Sequence, residues 1–206
     1  MEEKETGGAE TQTTVQTTVQ TEQTHKSKPV REPRIYVASL ADYTAGRLYG
    51  WWVSAFQPAE DIRRDIDAML ARSEEPIAEE WAIHDYEGFE GLKLSEYENL
   101  EHVAEAARML VDHGPVIAGL LNHLGGLEYL DDAGRYMDEG YRGAFDSLTD
   151  YVTEFVEDCY GDVLKSLPEF LRYHIDYEGI AHDMELSGDV FTIECGREVH
   201  VFDAHI

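Results

Sequence analysis

Carboxylates dominate the side-chain chemistry of this chain, with 43 Asp+Glu against 16 Lys+Arg and a formal net charge of −27 over 206 residues. Their spacing is not uniform. At about 100° per residue, Glu98, Glu101, Glu105 and Asp112 fall within an arc of about 60° on one side of a helix. Asp146, Asp150, Glu154, Glu157 and Asp158 fill a second arc of about 120° on another. Carboxylates in such numbers can ligate a hard cation, work in pairs as acid and base, or present an anionic surface to a basic partner.

The first two options find little local support. Asp85 to Glu96 has acids at positions 1, 3 and 12 of a calcium loop, but Phe89 and Glu90 stand where that loop needs an oxygen ligand and a glycine. None of the nine histidines forms HExxH, and Cys159 and Cys195 lie 36 residues apart, so no zinc pattern exists. GxSxG, P-loop and GxGxxG motifs are absent, which leaves hydrolase and nucleotide readings without a signal. A carboxylate-dependent hydrolase would need an acid pair in a cleft, with Trp51 or Trp52 near a sugar-like substrate. Nothing singles out such a pair, and alternate residues of that strand belong more naturally to a core. No catalytic residue, metal site or cofactor is assigned.

The third option has a bland form, since a charged face on an amphipathic helix is usually its solvated face. Solvated faces, however, mix signs, because acid–base pairs at i,i+4 stabilise a helix. The first stripe has no interleaved lysine, with Arg108 at its edge, and the second contains no base. Like charges at these spacings destabilise an isolated helix by about 0.2–0.5 kcal/mol each. Repetition in two helices points to selection for the field itself. Such a surface repels nucleic acid and suits a basic groove built to hold it. Glu98 to Asp112 spans about 21 Å, sparser in charge than duplex DNA with one per about 1.7 Å, so several faces must align.

The elements that position these stripes follow from pattern. Residues 1–34 hold six acids and five bases, so residues 35–206 carry a net charge of −26. At duplex density that matches at most about 44 Å of DNA, or about 88 Å in a dimer. The start of the chain repeats Thr-Thr-Val-Gln and has no aromatic residue before Tyr36. It reads as a disordered Thr/Gln-rich tail over residues 1–33. Ile35–Leu40, Tyr49–Phe56 and Trp81–Asp85 read as strands. A helix starting at Pro58 buries Ile62, Ile66, Met69 and Leu70. Together these make an α+β unit over residues 34–93.

A helical middle over residues 94–140 follows. Ser95-Glu96-Tyr97-Glu98 reads as a capping box opening a helix that runs to His113, stopped by Gly114-Pro115. Leu100, Val103, Ala104, Ala107, Leu110 and Val111 form its apolar face. Short helices fill residues 115–135. In the third unit, residues 141–206, a long helix over Gly143–Tyr160 buries Phe145, Leu148, Val152, Phe155, Val156 and Cys159. Pro168 opens a further helical stretch, and Val190–Glu194 with Val199–Phe202 form a hairpin around Gly196. Asp85-Tyr86-Glu87-Gly88 recurs as Asp176-Tyr177-Glu178-Gly179, for which chance is a simpler account than duplication. No apolar run is long enough for a membrane span, and the N-terminus shows no signal-peptide core. Two cysteines give no disulfide framework, so the expected location is cytoplasmic.

Several long blocks resemble one family. Ile35-Tyr36-Val37-Ala38-Ser39-Leu40-Ala41-Asp42-Tyr43 with Gly46-Arg47-Leu48-Tyr49-Gly50 is similar to the opening of the ArdA antirestriction proteins. Glu80-Trp81-Ala82-Ile83-His84-Asp85-Tyr86-Glu87-Gly88-Phe89, Tyr173-His174-Ile175-Asp176-Tyr177-Glu178 and Val199-His200-Val201-Phe202 match further blocks. Leu94-Ser95-Glu96-Tyr97-Glu98-Asn99-Leu100-Glu101 resembles their antirestriction motif, which centres here on Glu98, Glu101 and Glu105. The resemblance covers residues 34–206. It implies a non-enzymatic acidic homodimer, encoded on mobile elements, that mimics DNA. It would occupy the DNA-binding groove of a type I restriction–modification enzyme. The implied architecture is elongated, with three small domains (α+β, helical, α+β) and the dimer contact in the last. An acidic interaction protein with another basic DNA-binding partner is the remaining alternative.

Overall fold

The computed structural model describes residues 32–206 and is a mixed α+β fold. The expected tail lies outside the described residues except for its last two positions, which join the fold. Pro33 is buried and its carbonyl accepts the Ala55 amide at 2.8 Å, while Glu32 accepts the Ser54 hydroxyl at 2.7 Å. The fold therefore includes two residues that composition assigns to the tail, because a neighbouring strand supplies partners for them.

Strand β1 (Arg34–Ser39) runs into a short helix α1 (Leu40–Thr44), then β2 (Gly50–Ser54), helix α2 (Ala59–Leu70) and β3 (Trp81–Glu87). The antiparallel sheet has the order β2-β1-β3, with a bulge on β3 between the partners of Tyr36 and Val37. Helix α2 carries its predicted face inward, with Ile62, Ile66, Met69 and Leu70 all buried. Pro58 sits at the N-cap rather than as the first helical residue. Helix α1 is too short for periodicity to show. Ser39 caps it, and the buried Asp42 accepts from Arg47 at 2.9 Å and from the Ser73 hydroxyl at 2.5 Å. These bonds, that from Ser73 foremost, hold the Asp42 carboxyl below its ordinary range.

Helix α3 (Leu100–His113) begins four residues later than the capping box predicts. The box forms only in part. Glu98 reaches back to the Ser95 amide at 3.3 Å and hydroxyl at 3.0 Å, but the chain between them is a turn. The Ile83 amide, on the free edge of β3, donates to the Glu96 carbonyl at 2.8 Å and ties this turn to the sheet. Asn99 is the actual cap, accepting the Glu101 amide at 2.9 Å. The buried face consists of Leu100, Val103, Ala106, Ala107, Met109 and Leu110. Val111, assigned to that face from periodicity, is 42% exposed. Gly114, at φ +77°, ends the helix.

Helix α4 (Val116–Leu124), a 3₁₀ turn (Leu127–Tyr129), helix α5 (Leu130–Arg135) and a π-helical turn (Tyr136–Gly140) complete the helical stretch. Residues 143–145, expected to open a helix, instead belong to strand β4 (Tyr141–Phe145), because β6 offers them a ladder. Helix α6 (Leu148–Ser166) starts after its Ser147 cap and kinks at Tyr160. Phe145 and Asp146 thus precede the helix, and Cys159 is exposed rather than on an apolar face. Helices α7 (Glu169–Arg172) and α8 (Tyr177–Ser187) lead to the predicted hairpin of β5 (Val190–Cys195) and β6 (Glu198–Asp203), in a sheet of order β4-β6-β5. The repeated tetrapeptide has two conformations. Asp85–Gly88 ends a strand, whereas Asp176 caps α8 through the Gly179 amide. The match carries no structural repeat.

Burial is organised around two clusters. The larger joins the first sheet and α2 to α3, α4 and α5, and reaches Ile193 and Phe202 of the second sheet. The smaller packs Tyr151 and Val152 of α6 against Ala181 of α8, Val190 and Val201.

Candidate functional site

The first predicted stripe divides into three kinds of carboxylate. Glu98 lies outside α3 and is half-buried. Its two oxygens accept from the Ser95 amide and hydroxyl and from the Asn99 amide. Glu101, in the first turn, is exposed and has no basic partner among the described residues. A carboxylate there also sits at the positive end of the helix dipole. Glu105 and Asp112 are bridged by Arg108, which forks onto Glu105 at 2.5 and 3.0 Å and reaches Asp112 at 3.0 Å. The guanidinium holds the Glu105 carboxyl below its ordinary range, its hydrogen bond being the largest cause. Arg108 is therefore not at the edge of the stripe, as its angle suggests, but inside it. Long side chains three and four positions apart meet over one helical face, so this pairing is readable from i,i+3 and i,i+4 spacing.

Glu98 and Glu101 also line an open cleft of about 920 Å³ between the motif turn, the start of α2 and the start of β3. Glu60, Glu79 and Glu80 face it from the other side, with Tyr97 70% exposed at its rim. Arg63 is its one lining base and lies over the Trp81 ring, 5.2 Å from the centroid. Sequence reasoning missed these three glutamates, because they lie on different elements. The Ile83–Glu96 hydrogen bond, the Arg63–Trp81 contact and the packing of α2 on α3 bring their segments together.

The second stripe sits on α6 and the turn before it. Asp146, Asp150, Glu154, Glu157 and Asp158 are all exposed, and none has a Lys or Arg partner among the described residues. Asp150 contributes to the cap, its amide donating to Ser147 at 3.1 Å and its carboxylate accepting the Ser147 hydroxyl at 2.5 Å. Glu154, Asp158 and Cys159 border a second hollow of about 570 Å³ with Phe155, Met184 and His205. The two stripes lie on different helices, α3 and α6, and do not merge into one helix face.

Other candidates resolve differently. Trp51 packs against the core with Arg72 over its ring, and Trp52 is 41% exposed beneath Arg34. Neither lines the acidic cleft. The carboxyls with a clear shift, Asp42, Glu105 and Asp203, all move down, each chiefly through a donated hydrogen bond. A general acid needs the opposite shift. Among the described residues, no three His, Cys, Asp or Glu side chains are grouped to hold a metal ion. No described helix is long and apolar enough to cross a membrane.

No curated protein matches the chain. The family described as Antirestriction protein (ArdA) matches it over residues 35–199. That span takes in the first sheet, the motif turn, both acidic helices and strands β4 and β5, and ends near the start of β6. The chain belongs to the ArdA antirestriction family.

Proposed function

We propose that this antirestriction protein acts as a DNA mimic, lying in the DNA-binding groove of a type I restriction–modification enzyme and excluding the duplex. It would protect incoming mobile DNA in the cytoplasm, working as a homodimer and without catalysis. One observation carries the reading. Glu101 and the Asp146–Asp158 series are exposed carboxylates without Lys or Arg partners among the described residues, in a chain with a net charge of −26 over residues 35–206. An ordinary surface would intersperse both signs. A groove that binds DNA by releasing counterions would take up such a surface by the same physics.

In this reading the units at residues 34–93, 94–140 and 141–206 form an elongated series that presents Glu98, Glu101, Glu105 and Asp112 from the middle and Asp146, Asp150, Glu154, Glu157 and Asp158 from the end. Restriction of unmodified plasmid in cells carrying a type I system tests it directly. Abundant folded protein should restore plasmid recovery; unchanged restriction rejects the proposal. In vitro, the protein should displace labelled duplex from the enzyme, and its affinity should fall steeply with salt. Pull-down identifies the partner, so capture of a nucleoid protein in place of the restriction enzyme would favour the alternative of another basic target. A hydrolase gains nothing from the clearly shifted carboxyls, none of which is raised.

A further inference from the structure

If the acidic faces act together, something must set their relative position, and the fold contains a contact suited to it. Helix α3 packs on α4, α4 packs on β5, β5 pairs with β6, and α6 packs on β6 and α8. The α4–β5 step is thus one of two packed routes from one stripe to the other, the second running through α5 and the π-helical turn to β4 and β6. The α4–β5 step is unusually close. A Cβ on Gly119 of α4 would stand 2.3 Å from Cγ2 of Ile193 on β5, far inside van der Waals contact. Glycine here is required by approach, not by backbone angle.

Aromatic rings continue the seam. His123, one turn along α4, stacks on Phe191 with centroids 4.5 Å apart and planes within 4°. Phe191 stacks in turn on Phe202 at 5.1 Å, and Tyr136 of the π-helical turn meets Phe191 edge-on at 5.3 Å. Ile193 and Phe202 are the members of the large core that come from the second sheet. Parallel and edge-to-face rings fix orientation as well as distance. A packed seam of this kind resists gradual deformation.

We infer that Gly119, with Ile193 and the His123–Phe191 stack, is a positioning site that holds the α3 and α6 acidic faces in the one geometry the partner groove accepts. The inference rests on the proposed mimicry, because a seam matters to binding only if both faces engage one groove. Its residues contact no partner themselves; they act through the angle between two units.

The test exploits the geometry of Ile193. Gly119→Ala meets Cγ2 at 2.3 Å, but the Ile193 Cβ lies 3.7 Å from the new methyl, an ordinary contact. Gly119→Ala should therefore shift the seam, and Gly119→Ala with Ile193→Ala should restore its spacing. Dipolar distances would be measured in the full chain between spin labels on the exposed native Cys159 and on Val111→Cys, in a Cys195→Ala background. Enzyme binding would be followed in unlabelled protein as displacement of duplex across a salt series.

Gly119→Ala should change or broaden the distance and weaken binding by about tenfold or more. It should also lower the salt slope by up to about four, one for each carboxylate of α6 taken out of register. The double variant should recover both. Phe191→Leu gives a second perturbation should Gly119→Ala fail to fold. Wild-type protein that does not displace duplex refutes the mimicry itself. Wild-type displacement with an altered distance but unchanged affinity and slope in Gly119→Ala, or in Phe191→Leu, overturns the seam alone. So does an unaltered distance.

Discussion

Arg108 offers the sharpest separation between a field and a scaffold. Its guanidinium neutralises the middle of the α3 stripe, holding Glu105 and Asp112 in partly exposed pairs with side-chain exposures of 43% and 47%. Exposed pairs of this kind are worth about 0.3–0.5 kcal/mol each. Removing the arginine also unmasks repulsion between Glu101 and Glu105, one turn apart, at about 0.2–0.5 kcal/mol. Arg108→Gln keeps much of the stem and the helix propensity, so the fold should lose only about 1 kcal/mol, a fall of about 2–4 °C in Tm. Binding should move the other way. Two freed carboxylates paired with groove cations at about 0.2–1 kcal/mol each would tighten the complex roughly two- to thirtyfold at low salt. The slope of log Kd against log salt should steepen by about two, one for each freed carboxylate. Thermal denaturation and displacement of labelled duplex from purified type I enzyme between about 50 and 200 mM salt measure both quantities. A scaffold predicts losses in both. A folded Arg108→Gln protein that binds more weakly, or with an unchanged slope, refutes the claim that the α3 carboxylates work through their field.

Three further outcomes follow from the geometry. Asp146→Asn, Asp150→Asn and Glu154→Gln together should weaken enzyme binding and flatten its salt slope by about three, with the Ser147 cap retained by the amide oxygen introduced at position 150; an unchanged slope would remove these charges from the groove. Asn99→Ala should destabilise the chain by about 1 kcal/mol in urea denaturation, whereas Ser95→Ala should cost less, because Asn99 and not Ser95 caps α3. His200, half-buried with Nδ1 2.8 Å from the Tyr141 hydroxyl, titrates below its ordinary value of 6.5, chiefly through burial and despite the nearby Glu198. The unfolded chain then binds the proton first. Stability should be full above about pH 6.5, fall as pH drops towards the depressed folded value, and level off below it; Tm against pH should show this step in the wild type and lose it in His200→Gln.

Where the sequence proved legible, the deciding contacts were local. Ile62, Ile66, Met69 and Leu70 are buried as their spacing predicts, and the β5–β6 hairpin turns at Gly196, at φ +68°. Where it misled, a distant strand decided. Gly143–Phe145 fits the apolar rhythm continued by Leu148 and Val152, yet pairing with β6 draws it into a sheet. Ser95–Glu98 carries a helix-start pattern, but the bulged edge of β3 captures the Glu96 carbonyl and delays the helix to Leu100. The exposed carboxylates were legible as a set because exposure follows from periodicity. Their pairing was partly legible, through the spacing of Arg108. The cleft glutamates Glu60, Glu79 and Glu80 were not, since no short-range rule joins α2, β3 and the motif turn.

The family motif can now be divided by what each oxygen already does. Glu98 commits its acceptors to Ser95 and Asn99, so its first duty is to shape the turn. Glu101 accepts nothing in the described structure from a base and faces the cleft. A variant that removes the whole motif therefore mixes a folding defect with a binding defect, and its loss of activity is uninformative about either. Single changes separate them. Glu98→Ala leaves three donors to find water and should lower stability by about 1–2 kcal/mol. Glu101→Gln keeps the helix start and should leave stability within about 0.5 kcal/mol of wild type. It should nonetheless reduce the salt slope of enzyme binding by about one. If Glu101→Gln instead melts like Glu98→Ala and binds normally once folded, the motif supports the fold throughout, and contact with the enzyme must be sought on α6.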